Sequence, residues 1–337
     1  MNKDVIKRLK NAGLLSDEAH DLGFVSTGSY ALNKIISGDY MKGIPIGMIS
    51  QFHGEASTAK TVFATHILKE AQSKGYYSML VDSENAYNPT FAKQLGVDPE
   101  RLIYSTAETL EDSFQVMEDT ILSIREADPN TPIVIAYDSI AVSPSKAEYE
   151  AESYDGNNMQ GAIRAKSTGA CLRKINPLMR KHKVALIVIN QIRSKVGVMY
   201  GNPETMAAGG KSLDYYLGVN LKCISNKTAD LVRDDNKQVI GITGTVRNTK
   251  NKVSIPFREC EFELMYDEGL NACAGMLKQL VLDNVVEQSG AWYSWNGVKF
   301  QRKEFDNSFS SGEKFTGLRE AVGVKTQPAE NKELTAK

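Results

Sequence analysis

The sequence predicts an α/β fold with a mostly parallel central sheet, followed by a small C-terminal α/β domain. From Gly43 to Asn190, short apolar runs alternate with segments of helical periodicity, the pattern of parallel strands joined by helices. After Asn190 the apolar runs are joined by polar turns instead. A chain of 337 residues is also too long for one ordinary domain, so a large core with a smaller appendage is expected.

The N-terminal segment, residues 1–24, is predicted to be a short helix of mixed charge that ends near Gly23. Its apolar face is small and is formed by Val5, Leu9, Leu14 and Leu15. Such a helix has little to bury by itself. It either docks onto a neighbouring molecule or frays.

Five apolar runs are predicted to be the strands of the parallel sheet: residues 45–52, 76–82, 102–104, 133–137 and 184–190. Residues 108–126 between the third and fourth runs are predicted to form an amphipathic helix. Its apolar face would consist of Leu110, Phe114, Met117, Ile121 and Ile124.

The remaining elements belong to the end of the chain. Residues 218–223, 240–248 and 260–266 are predicted to be strands that extend the sheet in an antiparallel manner. A helix over 276–286 and a hairpin-like stretch over 289–300 indicate a small domain at 270–323. Residues 324–337 are polar and are expected to be disordered.

The bulk composition excludes some classes of protein. The 40 basic and 41 acidic residues nearly balance, so any nucleic-acid site must be a local patch or groove. The start of the chain lacks the apolar region of a signal peptide, and no run approaches a membrane span. The cysteines form no CxxC pair, which argues against a disulfide or metal framework and fits a cytoplasmic location: Cys171, Cys223, Cys260 and Cys273.

A loop after the first strand carries residues suited to phosphate binding. It is followed by a helical stretch and matches G-x4-G-K-[ST] except for one alanine: Gly54, Glu55, Ala56, Ser57, Thr58, Ala59, Lys60 and Thr61. Backbone N–H groups of such a loop surround phosphates, while the lysine contacts β and γ oxygens and the hydroxyl binds Mg²⁺. If Ala59 must adopt φ > 0, strain on the order of 1–2 kcal/mol would weaken nucleotide use without abolishing it. A coincidental Gly/Lys/Thr turn is the alternative.

Two carboxylates follow later strands. Asp138 ends the run 133–137, at the sheet edge where nucleotides bind, and could hold Mg²⁺ or its water opposite Thr61. Glu84 follows the run 76–82 and could polarise the water that attacks the terminal phosphate. By themselves, an Asp at a strand end is usually a cap or turn residue, and Glu84 could be a solvated side chain.

Several blocks of sequence resemble the bacterial RecA recombinase family. The longest is INQIRSKVGVMYGNPET at 189–205, and the others are STGS at 26–29, PSKAE at 144–148, KNK at 250–252 followed by Pro256-Phe257, and GAWYS at 290–294. They occur in family order between about residues 25 and 300. The resemblance implies a RecA-type P-loop ATPase core with two DNA-binding loops over 25–269, and the small C-terminal domain at 270–323.

The resemblance also implies roles around ATP and Mg²⁺. Glu84 matches the catalytic glutamate, and Gln191 the residue that senses the γ-phosphate. Phe91 matches an aromatic residue that stacks on adenine, and Tyr266 an aromatic residue near the base.

Further implied roles involve neighbouring subunits. Lys250 and Lys252 match lysines that reach the ATP bound to the adjacent protomer, so hydrolysis would require filament contacts. Residues 1–24 would pack on that protomer as an oligomerisation helix.

DNA would be bound by two loops, one at 152–164 and one at about 192–210. The residues expected near DNA are Met159 and Arg164 in the first loop, and Arg193, Lys195, Val198, Tyr200, Gly209 and Gly210 in the second.

The function implied is ATP-dependent pairing and strand exchange by a homo-oligomeric filament on single-stranded DNA with a homologous duplex. Three departures from the family pattern are Ala59, Asn88 in place of an acidic residue near the base, and one extra residue in the second loop at 206–208. A weakly catalytic mediator that binds DNA is one alternative. A RecA-fold hexameric DNA motor is another, but the blocks at 250–252 and 197–204 argue against it.

Overall fold

The computed structural model describes residues 4, 5, 8, 22–151, 158–194, 204–206, 210–225, 229–310 and 312–324. Most of the predicted helix at 1–24, part of both predicted DNA loops and nearly all of the predicted disordered tail lie outside these residues. None of the described helices is both long enough and apolar enough to cross a membrane.

A large mixed sheet dominates the described part of the chain, and the predicted fold class is confirmed. Its strands are β3 (Ile49–Gly54), β4 (Tyr77–Asp82), β5 (Leu102–Ser105), β6 (Ile133–Asp138), β7 (Val184–Ser194), β8 (Glu204–Met206), β9 (Leu217–Ile224), β10 (Leu231–Arg233), β11 (Val239–Asn251), β12 (Glu259–Met265) and β13 (Gly269–Leu270). The spatial order is β13-β12-β11-β9-β3-β7-β6-β4-β5, and β10 pairs with β11 and β8 with β7. Two short strands, β1 (Phe24–Val25) and β2 (Ile44–Pro45), pair separately.

Helices cover both faces of the parallel part. They are α1 (Tyr30–Ser37), α2 (Lys60–Ser73), α3 (Pro89–Gln94), α4 (Leu110–Ala127), α5 (Lys146–Tyr149), α6 (Asn158–Lys181) and α7 (Gly210–Tyr216). One buried cluster joins α1 and α2 to the sheet through residues such as Ile35, Phe63 and Phe52. A second joins α4 and α6 to the opposite face, through residues such as Phe114 and Leu172.

Helix ends follow local chemistry. Thr109 caps α4 by accepting a hydrogen bond from the Asp112 N–H, and Ser29 does the same for α1. In α4, four of the five predicted apolar residues are buried and Ile124 is partly buried against them.

Three predictions about the strands are corrected. The run 45–52 is two strands, because Gly47 adopts φ 87° and turns the chain between β2 and β3. The run 184–190 continues to Ser194, where β8 pairs with it. The segment 218–223 was expected in an antiparallel extension, but β9 is parallel to β3 and antiparallel only to β11.

The C-terminal region forms a third buried cluster, to which Tyr30 and Tyr40 also contribute. It contains α8 (Met276–Leu282), β14 (Glu287–Ser289), β15 (Trp292–Trp295), β16 (Val298–Gln301), α9 (Arg302–Ser308) and α10 (Thr316–Ala321). Four phenylalanine rings pack together there: Phe300, Phe305, Phe309 and Phe315. The helix predicted over 276–286 ends at Leu282, because Asn284 adopts φ 57°.

Candidate nucleotide-binding site

The predicted phosphate loop connects the central strand β3 to the first residue of α2. Gly54 ends β3, between Gln191 of β7 and Cys223 of β9 in register. A Cβ at Gly54 would collide with the Cys223 carbonyl oxygen. Only glycine fits this close approach of two strands, so the loop begins at a fixed point.

Ala59 has the left-handed backbone conformation that the glycine of the phosphate-loop pattern would favour. Its φ and ψ are 63° and 13°, and its carbonyl accepts the Phe63 N–H at 3.0 Å in the first turn of α2. Ser57 is also left-handed, at φ 62°. The condition for strain at Ala59 is therefore met, although the loop keeps its helix-starting shape.

The Lys60 side chain lies over the loop. Its Nζ donates to the Glu55 carbonyl and, at 3.3 Å, to Thr58 Oγ1. Thr58 Oγ1 in turn donates to the Glu55 carbonyl at 2.9 Å. These contacts hold the lysine charge beside the backbone that would surround phosphates.

Thr61 and Asp138 meet, as their predicted shared role requires. Thr61 Oγ1 donates to Asp138 Oδ2 at 2.6 Å. Burial raises the pKa of Asp138 to about 6, and the nearby charges of Glu84 and Asp82 act in the same direction. The Thr61 hydroxyl and Lys60 oppose that rise.

This pair fits Mg²⁺. Hydroxyl and carboxylate oxygens are hard ligands, and Mg²⁺ typically takes only one or two protein ligands beside substrate phosphates. A cation here would also offset the buried negative charge, which burial disfavours. No larger group of potential metal ligands occurs within the described residues, and such a site does not need one.

Glu84 is oriented by two donors, one directly after β6 and the other within β7. Ser139 Oγ donates to Glu84 Oε1 at 2.7 Å, and Gln191 Nε2 donates to the same oxygen at 3.3 Å. Asp82 also supports the turn, since its Oδ1 accepts the Glu84 N–H at 3.1 Å. The supporting roles of Ser139 and Asp82 were not predicted, although Asp82 ends one predicted strand and Ser139 lies just beyond another.

A cavity of about 390 Å³ brings most of the predicted residues together. Its lining includes residues 56–62, Glu84, Asp138, Gln191 and Tyr266. Phe91 instead lines a neighbouring cavity of about 70 Å³, which shares Thr61 and Asp138 with the first. The structure thus separates the two aromatic residues expected near the base, and their roles stay predictions.

Lys250 lies in β11 and Lys252 follows the end of that strand; neither lines that cavity. Their Nζ atoms donate to the backbone carbonyls of Asp214 and Tyr215 near the end of α7. Burial lowers the pKa of Lys250, and the charge of Lys252 lowers it further. Their expected contact with nucleotide on another protomer stays a prediction.

The predicted DNA-contacting residues are only partly described. Arg164 Nη2 donates to the Ile140 carbonyl at 3.0 Å and to the Ala141 carbonyl, which ties α6 to the segment after Asp138. The backbones of Met159, Arg193 and Gly210 lie in α6, β7 and α7, respectively. The side chains of Met159 and Arg193 lie outside the described part of the chain, as do all of Lys195, Val198, Tyr200 and Gly209.

Fold and site together define a phosphate-loop nucleotide-binding α/β protein. A family model for the RecA N-terminal domain matches residues 5–271. Protein RecA of Clostridium acetobutylicum is 33% identical over 88% of this chain and 79% of its own length. For Protein RecA of Rhodospirillum rubrum the values are 36%, 83% and 72%, and for that of Chlorobaculum tepidum 34%, 82% and 75%. The chain belongs to the RecA family, and the resemblance seen in the sequence is confirmed.

Proposed function

We propose that this protein is an ATP-driven DNA recombinase that forms filaments on single-stranded DNA, pairs it with a homologous duplex and exchanges strands. The observation that carries the proposal is the contact between Gln191 Nε2 and Glu84 Oε1. It joins the nucleotide cavity to the end of β7, which leads towards the predicted second DNA loop.

The proposed hydrolysis uses side chains that line the cavity. Lys60 leaves the Glu55 carbonyl and Thr58 Oγ1 for the terminal phosphates, where it offsets their charge. Glu84 orients the attacking water and takes its proton, and the bond between the γ-phosphorus and the oxygen that leaves with ADP breaks. Thr61 and Asp138 would hold Mg²⁺. When bound, Mg²⁺ neutralises charge on the β- and γ-phosphate oxygens.

The proposed coupling between ATP and DNA uses strand β7. A γ-phosphate near Glu84 offers Gln191 a new hydrogen-bond acceptor and so competes for its side-chain amide. Because Gln191 and Ser194 belong to one strand, a shift of Gln191 repositions the start of the loop beyond it. The protein would therefore bind DNA with one affinity when ATP is bound and with another when ADP is bound.

Exposed apolar residues near the two lysines support self-association. Tyr215, Ile255 and Phe257 are 77%, 59% and 76% exposed, and Lys252 Nζ contacts the Tyr215 carbonyl. Large exposed apolar side chains that lie close together, here beside two lysines, are typical of interaction surfaces. A second copy of the chain, with its nucleotide facing Lys250 and Lys252, is the proposed partner.

The test is strand exchange between circular single-stranded and linear duplex DNA with ATP and Mg²⁺. We expect joint molecules and filaments in electron micrographs for the wild type, and neither for Lys60→Ala. Lys69→Ala is the matched control, because Lys69 lies on the same helix and pairs only weakly with Glu70 at 3.7 Å on the surface. The proposal fails if the wild type neither exchanges strands nor forms ATP-dependent filaments.

The left-handed Ala59 supports a second candidate, a DNA-binding mediator that uses nucleotide poorly. A DNA-stimulated ATPase assay separates the two. A mediator would show filament-independent DNA binding and negligible turnover at saturating ATP.

A further inference from the structure

A row of buried side-chain amides crosses three neighbouring strands of the central sheet, β7, β3 and β9. Asn190 lies on β7, Gln51 on the central β3 and Asn220 on β9. Gln51 and Asn190 are fully buried, and Asn220 is 7% exposed. None of the three belongs to the phosphate loop. Asn190 precedes Gln191 in the block at 189–205, whereas Gln51 and Asn220 belong to no motif.

The three amides form a continuous hydrogen-bonded chain. Asn190 Nδ2 donates to Gln51 Oε1 at 3.1 Å, and Gln51 Nε2 donates to Asn220 Oδ1 at 2.9 Å. Gln51 Nε2 also lies 3.4 Å from His53 Nδ1. At the other end, Asn190 Oδ1 accepts the backbone N–H of Gln191 at 2.9 Å.

One backbone group sets the direction of the whole chain. The Gln191 N–H can only donate, so the Asn190 oxygen must face it and the Asn190 nitrogen must face Gln51. Gln51 must then present its oxygen to Asn190 and its nitrogen to Asn220. The backbone N–H of Gln191 thus selects one of the two possible orientations for each amide. The side chain of the same Gln191 contacts Glu84.

Packing does not require polar residues at these positions. Gln51 lies two residues after Ile49 in β3, and Asn190 lies two residues after Val188 in β7. Residues two apart in a strand share a face, so both amides lie on the sheet face that packs against α4 and α6. Buried amides are tolerated only when hydrogen-bonded, whereas apolar side chains would fill this layer without that condition. A specific use of the amides explains them better than packing does.

We propose that Gln51 is a positioning residue: with Asn220 behind it, Gln51 fixes the Asn190 side chain and thereby the backbone of Gln191. This inference rests on the proposed function, since Gln191 is there the group that links nucleotide to DNA. Gln51 touches neither nucleotide nor DNA in this arrangement. Its loss should uncouple the two ligands without weakening either one by itself.

The experiment measures the ratio of single-stranded DNA affinities with ATPγS and with ADP, using a fluorescein-labelled oligothymidylate and Mg²⁺. Gln51→Met removes both hydrogen bonds with little change in side-chain volume. We expect it to lower this ratio by about tenfold, the effect of losing a buried hydrogen bond, and to leave the dissociation constants of ATPγS and ADP within about twofold.

Ser50→Ala is the matched control. Ser50 is a fully buried neighbour on β3, and its hydroxyl has no hydrogen-bond partner in the part of the chain that the structure describes. Its removal should change neither the affinity ratio nor nucleotide binding.

A second pair of variants covers the case in which Gln51→Met does not fold. Asn220→Leu removes the acceptor for Gln51 Nε2, whereas Asn220→Asp retains it. We expect the affinity ratio to fall with Asn220→Leu and to be preserved with Asn220→Asp. A purely structural role would lower thermal stability and leave the ratio unchanged in both.

The outcomes separate the two proposals. If the wild type binds DNA equally with ATPγS and ADP, the proposed function is refuted and this inference falls with it. If the wild type discriminates and Gln51→Met or Asn220→Leu discriminates equally well, only the positioning role is overturned.

Discussion

The replacement Ala59→Gly measures how much the left-handed alanine disturbs the phosphate loop. Releasing the strained conformation should gain about 1–2 kcal/mol. Glycine also makes the unfolded chain more disordered, which offsets about 0.4–1 kcal/mol. The Ala59 methyl packs partly against the core, and its loss offsets up to about 0.8 kcal/mol more. The terms largely offset one another, so the free energy of unfolding should change by less than about 2 kcal/mol.

Nucleotide binding should change little for the same reason. Ala59 already holds the conformation that glycine would adopt, so the loop donors keep their positions. We expect the dissociation constant of ATP to change by less than about fivefold, equivalent to roughly 1 kcal/mol. A larger gain in affinity would favour the mediator candidate, because the alanine would then be limiting nucleotide use.

Urea unfolding followed by circular dichroism provides the stability measurement. Ala56→Gly is the control: Ala56 lies exposed in the same loop and is not among the left-handed residues, so it should only lose about 0.4–1 kcal/mol. Ala59→Val should lose more than about 2 kcal/mol, because a β-branched residue is strongly disfavoured at positive φ. A neutral Ala59→Val, or a destabilisation of more than about 1 kcal/mol by Ala59→Gly, would refute the left-handed assignment.

Three further predictions concern titration and the proposed subunit contact. His66 Nε2 accepts the Leu270 N–H at 3.0 Å, and burial lowers the pKa of His66 to about 4. As pH falls, the unfolded chain therefore takes up a proton at His66 before the native protein does. The contribution of His66 to the free energy of unfolding, roughly 3 kcal/mol, is complete above pH 6.5 and is lost towards pH 4. Urea unfolding should show the stability difference between wild type and His66→Gln shrinking across that range. Asp138, with its raised pKa, makes the opposite contribution: it destabilises the nucleotide-free protein increasingly as pH rises from about 4 to about 6. Asp138→Asn should therefore be more stable than the wild type at pH 8, by up to about 3 kcal/mol in urea unfolding. The same variant should hydrolyse ATP at least ~100-fold more slowly. Lys250→Ala should lower DNA-stimulated ATP turnover at least ~10-fold, with the ATP affinity of dilute protein within about twofold.

Each of these has a contradicting result. A difference between wild type and His66→Gln that stays constant from pH 7 to pH 4.5 would show that His66 titrates normally in the native state. Asp138→Asn with wild-type turnover would remove Asp138 from the proposed Mg²⁺ site. Loss of ATP binding by dilute Lys250→Ala would place Lys250 in the cavity of its own subunit.

Much of the site follows from sequence because its chemistry is local. The loop at residues 54–61 combines a strand end, a helix start and a lysine–threonine pair within one short segment. Asp138 and Glu84 each follow an apolar run, and parallel strands bring such positions to one sheet edge. The distances between Thr61 and Asp138, and between Gln191 and Glu84, agree with that reasoning.

Predictions from sequence were less accurate where the outcome depends on which distant segments lie next to a residue. The strand β9 is parallel to β3 and antiparallel to β11, and its own residues give no sign of this double role. The turn at Gly47 was missed because apolar residues surround it on both sides. Separation of Phe91 from Tyr266 likewise depends on how distant segments pack.

The sequence by itself determined the α/β class, the phosphate loop and the family, since these depend on short patterns whose meaning does not change with distant contacts. Only the tertiary structure decided that Ala59 is left-handed, that Ser139 and Gln191 hold Glu84, and that Gln51 joins Asn190 to Asn220. The physical reason is that a hydrogen bond between strands depends on their order and register. Pairing between distant segments sets both, and no single segment encodes them.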